Sequence, residues 1–147
     1  MQSTSKFLKI FPAILICLAA SSFTNAPTCD PEELLKKCAS SLDNYVFIKS
    51  FNIESARGGD KAEYSYVLSR GIQYRIVIYD ENEEGKKMII NLLDRNKKLI
   101  ASNYVRVGKK IYPTLNYECA ATGVYYVEAF FEGEKKGCGI NVLGFKK

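Results

Sequence analysis

The sequence predicts an all-β protein, an antiparallel two-sheet sandwich resembling a jelly roll, with one short α-helix near the N-terminus. After residue 45, about eight short runs of alternating apolar and polar residues are separated by polar, glycine-containing turns. A helical pattern occurs in a single segment before these runs. About 120 residues follow the predicted leader, which is enough for one domain with its own hydrophobic core.

The N-terminal segment has the layout of a secretory signal peptide. Lys6 and Lys9 form a short positive region, an apolar run covers residues 10–20, and small residues follow. This run is shorter than a comfortable membrane span, so a retained anchor is the less favoured alternative. Cys17 lies within the run and is expected to leave with the leader.

Cleavage is expected near Ser22 or after Ala26. We therefore assign residues 1–26 to the signal peptide and residues 27–147 to one exported domain, periplasmic or secreted. After the leader, no apolar run approaches membrane-spanning length. Export also implies an oxidising compartment, in which cysteines form disulfides.

The formal net charge of +5 is spread over the chain as lysine doublets, among them 97–98 and 109–110. A nucleic-acid-binding surface would cluster its cations, so we expect no nucleic-acid partner. Weak attraction to anionic surfaces, such as lipid headgroups or cell-wall polymers, is the alternative.

The helix is predicted to begin at Asp30. Asp30 can act as the N-cap, Pro31 suits the first helical position, and Glu33 completes a capping box. Apolar side chains then recur at helical spacing and form one stripe for docking. The stripe consists of Leu34, Leu35, Cys38 and Leu42.

Strands are predicted for the remainder of the chain. In the run 72–80, apolar residues alternate with Gln73 and Arg75, which indicates one buried and one exposed face. In 124–131 the same alternation places Glu128 on the face opposite the buried residues. The eight runs are 45–53, 62–69, 72–80, 88–94, 99–107, 111–119, 124–131 and 138–145.

Four cysteines remain after processing, and an even number in an exported domain predicts two disulfides. They are Cys29, Cys38, Cys119 and Cys138. A helix separates the first two and a full strand separates the last two, so local pairing is disfavoured by distance. Two pairings stay open, 29–119 with 38–138 or 29–138 with 38–119. A local 29–38 bridge requires the helix to fray.

Several stretches resemble the bacterial pre-peptidase C-terminal domain family. They are 66–74, 92–101, 115–130 and 137–145, and the most specific piece is the Thr-Gly-Val-Tyr-Tyr motif of residues 122–126. The resemblance implies a β-sandwich in a stand-alone exported form, acting as a non-catalytic accessory module in targeting or substrate contact. It implies no ligand-binding residues here.

The sequence contains no histidine. Ser-His-Asp and Cys-His nucleophilic sites are therefore impossible, and the commonest general base at neutral pH is missing. A serine–lysine pair at the usual spacing occurs only at Ser3 and Lys6, inside the leader, and no glycine-rich phosphate-binding loop is present. We expect no catalytic residues and no cofactor.

Two acidic alternatives remain. A glycan hydrolase could use facing carboxylates, for which Glu118, Glu128, Glu132 and Glu134 are the candidates. Residues 80–85 match the first half of a calcium loop, but Asn91 occupies the position of the final bidentate glutamate. A solvated turn is the favoured interpretation of 80–85, and we predict no metal site.

Four aromatic residues are the candidates for a binding surface: Tyr126, Phe130, Tyr104 and Tyr112. Tyr126 and Phe130 lie on the strand face opposite Val127, and the other two lie near strand ends. We therefore predict a non-catalytic, exported bacterial module that binds an envelope or extracellular protein or a polysaccharide. The alternatives are the carboxylate-dependent glycan hydrolase and an inhibitor or chaperone-like partner of a secreted protein.

Overall fold

The computed structural model describes residues 30–55, 59–81, 87–134 and 137–147. The predicted signal peptide lies outside the described residues. The described chain contains one short α-helix and ten strands, so the all-β prediction is confirmed. The strands are β1 (Val46–Ser55), β2 (Ala62–Leu68), β3 (Gln73–Glu81), β4 (Met88–Leu93), β5 (Leu99–Ser102), β6 (Tyr104–Val105), β7 (Lys110–Ile111), β8 (Thr114–Glu118), β9 (Gly123–Phe131) and β10 (Gly137–Lys146).

Eight strands form two four-stranded antiparallel sheets. Sheet A has the order β1-β10-β3-β8, and sheet B has the order β2-β9-β4-β5. Strands β6 and β7 pair with each other and form a hairpin in the connection between edge strands β5 and β8. Apolar residues from the facing sides of both sheets form one buried cluster, which confirms the two-sheet sandwich.

Alternation along the strands determines which residues enter this cluster. In β3, the buried residues Tyr74, Ile76 and Ile78 belong to it, whereas Arg75 is only half-buried. In β9, alternate residues from Tyr125 to Phe131 are buried in the same cluster. The predicted faces of β9 are therefore confirmed. In β3 the inward face is confirmed, but the opposite face is not exposed as predicted, because Val77 is also buried.

Helix α1 (Pro31–Ala39) covers the outer face of sheet A. The Asp30 carboxylate accepts hydrogen bonds from the backbone N–H groups of Glu32 at 3.0 Å and Glu33 at 3.4 Å, as expected of an N-cap. A 3₁₀ turn, Ser40–Leu42, continues the helix. The buried helical residues pack on three residues of sheet A. This second cluster consists of Leu34, Cys38, Leu42, Val77, Ile140 and Val142.

The lack of a side chain at Gly144 allows the 3₁₀ turn to approach sheet A. A β-carbon at this position would lie 2.7 Å from Leu42 Cδ2 and 3.1 Å from the Val46 carbonyl oxygen. The first of these contacts is shorter than real atoms allow, so a larger residue would force the Leu42 side chain to move.

The cysteines depart from the prediction of two disulfides. Cys38 and Cys119 are free thiols, each only 1% exposed. Cys38 lies under the helix on the outer face of sheet A, whereas Cys119 belongs to the core between the sheets. A 38–119 bridge would have to pass through sheet A, which disulfide geometry does not allow. Burial raises the pKa of the Cys38 thiol to about 12.

Cys138 is disulfide-bonded, and neither free thiol is its partner. The predicted partner, Cys29, lies outside the described residues. The Cys38 sulfur contacts the carbonyl oxygen of Val77, which is the cross-strand partner of Val142 in β10. The Leu42 side chain contacts Gly144 in the same strand. Four residues of the helical segment, about one turn, therefore span the same length as two residues of β10. Two turns before Cys38, the same spacing places position 30 beside position 138. The pairing 29–138 thus stays our prediction.

This arrangement predicts the number of reactive thiols. Under native conditions the exported protein should react negligibly with a thiol reagent, because Cys38 and Cys119 are buried. In denaturant without reductant we expect two reactive thiols per chain, counted by mass spectrometry after alkylation. A Cys29→Ser variant should show one more reactive thiol, because Cys138 would then have no disulfide partner. Four thiols in the parent protein would disprove the bridge, and none would support two disulfides.

The two predicted runs 99–107 and 111–119 are each interrupted in the structure. Asn103, which is 2% exposed, separates β5 from β6. Its side chain accepts a hydrogen bond from Ile90 N–H at 2.7 Å and donates to the carbonyl oxygens of Met88 at 3.1 Å and Tyr112 at 2.9 Å. These bonds anchor the β6–β7 hairpin to β4.

Replacing this anchor should destabilise the domain. For Asn103→Ala we expect a loss of about 3 kcal/mol in the free energy of unfolding, because three hydrogen bonds are lost and the partner groups of Met88 and Ile90 stay buried. Urea denaturation measures this change. Asn96→Ala is the control, because Asn96 is exposed in a turn; equal losses in both variants would contradict the assignment.

Candidate functional site

Three loops meet at one end of the sandwich, which we call the loop end. They are residues 69–72 between β2 and β3, 94–98 between β4 and β5, and 119–122 between β8 and β9. The antiparallel register brings them together, since Leu68 pairs with Gly123, Leu93 with Tyr126, and Gln73 with Glu118. The loop end therefore joins sheet A to sheet B.

Hydrogen bonds connect the first and third loops directly. Gly71 N–H donates to the Cys119 carbonyl at 2.8 Å, Cys119 N–H donates to the Ile72 carbonyl at 3.0 Å, and Arg70 N–H donates to Thr122 Oγ1 at 2.9 Å. Gly71 adopts a φ of +78°, a backbone conformation that favours glycine. These bonds hold the backbone of Arg70 in a fixed position.

The Tyr125 side chain, in the core between the sheets, is hydrogen-bonded to the third loop. Its hydroxyl donates to the Ala121 carbonyl at 2.7 Å and lies 3.4 Å from the Tyr117 hydroxyl and 3.6 Å from the Cys119 sulfur. The hydrogen bond with Tyr117, together with burial and Cys119, raises the pKa of Tyr125 above its ordinary value. The phenol therefore remains neutral and available as a donor at physiological pH.

The second loop is closed by its own hydrogen bonds. Asp94 Oδ1 accepts from the backbone N–H groups of Asn96 at 2.8 Å and Lys98 at 3.0 Å. The Asp94 carbonyl accepts from Lys97 N–H at 3.0 Å. Asp94 thus serves the turn, and its negative charge is engaged locally.

Exposed cations and apolar side chains share the loop end. Arg70 and Arg95 are exposed, and neither takes part in an ion pair of the described residues. An open cleft of about 440 Å³ lies between the second and third loops, with Ile100 and Val124 among its lining residues. Four exposed aliphatic residues lie around this end of sheet B: Val67 at 59%, Leu99 at 49%, Val124 at 41% and Ile100 at 38% exposed.

Two of the predicted binding residues lie on the outer face of sheet B. Tyr126 and Phe130 are half-buried, and lysine ammonium groups cover their rings. Lys97 Nζ lies 3.3 Å from the Tyr126 ring centre, and Lys61 Nζ lies 5.1 Å from that of Phe130. Lys97 also forms an ion pair with Glu63. These two rings belong to a closed surface rather than an open aromatic patch.

The other two predicted residues lie elsewhere. Tyr104 and Tyr112 belong to the β6–β7 hairpin and its base. Tyr112 is 47% exposed and lines a separate cleft that also includes Asp80 and Lys87. The structure therefore does not unite the four aromatic residues. Sequence patterns did not reveal Arg70 or Arg95, because exposure and the lack of a counter-ion in the described part of the chain are tertiary properties.

The candidate carboxylates do not form one site. Glu118 ends β8 in sheet A, at the loop end, whereas Glu132 and Glu134 follow β9 at the opposite end of the sandwich. Glu128 lies on the outer face of sheet B between Glu63 and Asn91. Among the described residues, no group of three or more cysteine, aspartate or glutamate side chains is placed to hold a metal ion.

Two residues of the calcium-like segment, Asp80 and Glu81, belong to the described chain. Residues 82–86 lie outside the described residues. Asp80 Oδ2 accepts a hydrogen bond from Met88 N–H at 2.8 Å, and Asp80 Oδ1 lies 3.7 Å from Lys87 Nζ. This carboxylate thus closes the base of the β3–β4 connection.

Comparison with known proteins identifies a structural neighbour. No family model matches the chain, and no curated protein matches it by sequence. The fold is similar to that of PliG from Aeromonas hydrophila, a periplasmic inhibitor of g-type lysozyme, with a TM-score of 0.50 and 12% sequence identity. The match covers 71% of this chain and 90% of the inhibitor. At this identity the similarity establishes a common fold. In the part of the chain that is described, no helix is long and apolar enough to span a membrane.

The role of Tyr125 in the loop end is testable. Tyr125→Phe should lower the free energy of unfolding by about 1 kcal/mol, because the Ala121 carbonyl loses its donor. It should also accelerate hydrogen exchange in residues 119–122. Tyr66→Phe is a matched control, because Tyr66 is the cross-strand partner of Tyr125 and its hydroxyl forms no hydrogen bond with the described residues. Identical behaviour of the two variants would contradict the assignment.

Proposed function

We propose that this protein is an exported, non-catalytic binding module that inhibits a secreted glycoside hydrolase of the lysozyme class. The observation that carries the proposal is the loop end. Here two arginines without an ion-pair partner among the described residues stand beside exposed aliphatic side chains on a hydrogen-bonded support. The structural similarity to a periplasmic lysozyme inhibitor supports it.

The chemistry of the loop end complements such an enzyme. Glycoside hydrolases hold a pair of carboxylates in an open cleft. A guanidinium group binds a carboxylate through two parallel hydrogen bonds, and within the described chain no carboxylate pairs with Arg70 or Arg95. The aliphatic residues around them supply the apolar contact that an interface core requires.

The hydrogen bonds between the loops favour tight binding. Enzyme–inhibitor complexes commonly form with little backbone movement, because the inhibitor loops are ordered before contact. Here the bond from Arg70 N–H to Thr122 and the two bonds at Cys119 order the first loop in advance. Less conformational entropy is then lost on binding.

A non-catalytic role also agrees with the distribution of titratable groups. Histidine is absent from the sequence, and the candidate carboxylates lie on different strands or at opposite ends of the sandwich. A neighbour that is an inhibitor rather than an enzyme supports the same proposal.

The decisive experiment measures lysis of a cell-wall suspension by a g-type lysozyme with increasing amounts of the purified exported protein. We expect stoichiometric inhibition that weakens as salt is raised, because charge complementarity accelerates association. The Arg70→Ala/Arg95→Ala variant should inhibit about 100-fold less strongly, since a buried interfacial arginine commonly contributes about 1 to 2 kcal/mol.

Lys36→Ala/Lys49→Ala is the charge-matched control, because both lysines are exposed on α1 and β1, away from the loop end. It should inhibit like the parent protein. Inhibition that survives in the arginine variant would reject the loop end as the contact surface. Absence of both inhibition and a complex on size-exclusion chromatography would reject the inhibitor proposal.

An accessory role like that implied by the pre-peptidase C-terminal family remains the second proposal. It also needs no catalytic residues and rests on the Thr-Gly-Val-Tyr-Tyr motif at the junction of the third loop and β9. Capture from the envelope fraction distinguishes the two proposals. A lysozyme supports the inhibitor role, whereas a protease or a polysaccharide supports the accessory role.

A further inference from the structure

We propose that the β6–β7 hairpin docks the protein on a membrane surface rich in anionic phospholipid. This role is independent of lysozyme inhibition and uses a different part of the molecule. The hairpin tip comprises residues 106–109, between two strands of two residues each.

The tip places an apolar side chain at its apex. Val107 is 88% exposed, the highest value among the exposed large apolar residues of the described chain. A hydrogen bond from Lys109 N–H to the Arg106 carbonyl at 3.2 Å closes the turn, and the pairing of Val105 with Lys110 continues it. Val107 is therefore held outward by an ordered turn.

Cations surround this apex. Arg106, Lys109 and Lys110 are all exposed, and none of them belongs to an ion pair of the described residues. The segment 103–113 contains no aspartate or glutamate. Within this segment no acidic residue balances the positive charge, and lipid phosphates would neutralise it.

The base of the hairpin adds side chains typical of a membrane interface. Tyr112 is 47% and Val105 41% exposed, and tyrosine is enriched where lipid headgroups meet water. The Asn103 side chain fixes the base to β4 through its bonds to Ile90 and Met88. A fixed base lets the tip enter the headgroup region without unfolding.

A lipid surface fits this feature better than an acidic protein. A stable protein interface buries about 800 Å² on each partner, which a turn of four residues flanked by two-residue strands does not offer. Membrane docking requires only a few cations and one inserted apolar side chain, because lipid headgroups adapt around them.

The first test is flotation with vesicles of phosphatidylcholine alone and of phosphatidylcholine with phosphatidylglycerol in equal amounts. The exported protein should float only with the anionic vesicles, and less at high salt. The variant Arg106→Gln/Lys109→Gln/Lys110→Gln should bind on the order of 100-fold more weakly, since each cation near the surface contributes about fivefold.

The control variant Lys36→Gln/Lys49→Gln/Lys147→Gln removes the same charge from exposed positions outside the hairpin. It should retain most of the binding. Equal weakening in both triple variants would overturn the proposal, because the attraction would then be diffuse. If the parent protein does not bind anionic vesicles, the proposal is also overturned. This holds even if the hairpin variant loses binding to an acidic protein, because the hairpin would then be a protein-binding surface.

A fluorescent reporter tests insertion separately. The chain has no tryptophan, so Val107→Trp introduces a single indole at the apex. Its emission should shift to the blue with anionic vesicles, whereas that of Val46→Trp, placed at a residue 58% exposed on β1, should not. An unshifted Val107→Trp spectrum in the presence of bound vesicles would overturn insertion of the tip. Neither experiment contains a lysozyme, so failure here leaves the inhibitor proposal untouched.

Discussion

The burial of β10 on both faces is the constraint on which the rest of the structure depends. Residues 138–144 are all buried, between β1 and β3 within sheet A and between the helix and sheet B across it. Ile140 and Val142 contact the helical layer, whereas Leu143 enters the core between the sheets. A strand with two covered faces is expected to be largely apolar, and Asn141 is the exception. Its carbonyl oxygen accepts a hydrogen bond from the Tyr64 hydroxyl, whereas its buried Nδ2 has no hydrogen-bond partner among the described residues.

This central position leaves the functional chemistry to the periphery. The loop end lies where strands of both sheets finish. Its first and third loops are ordered by hydrogen bonds to each other rather than by a layer above them. The β6–β7 hairpin lies in the connection between two edge strands. Both surfaces can therefore vary in charge without disturbing the core, which is the usual relation between a rigid scaffold and its binding loops.

The sequence predicted what alternation and capping determine locally. Strand faces in β3 and β9 and the N-cap at Asp30 follow from periods of two and 3.6 residues. The break at Asn103 was missed because its three hydrogen-bond partners are remote or lie beyond a turn. The cysteine pairing failed for Cys38 and Cys119 because distance along the chain does not reveal which side of a sheet a residue faces.

The candidate site was missed for a related reason. The sequence predicts aromatic residues as the binding surface. In the structure, however, Lys97 covers the Tyr126 ring, and Glu63 on a neighbouring strand forms an ion pair with this lysine. By contrast, Arg70 and Arg95 are inconspicuous in a lysine-rich chain, and only the fold shows that no carboxylate of the described residues pairs with them. A charged side chain that already forms an ion pair gains less from an ion pair with a binding partner. The arginines at the loop end and the cations of the hairpin, which lack such pairs across the described ranges, are therefore among the groups whose charge is available for recognition.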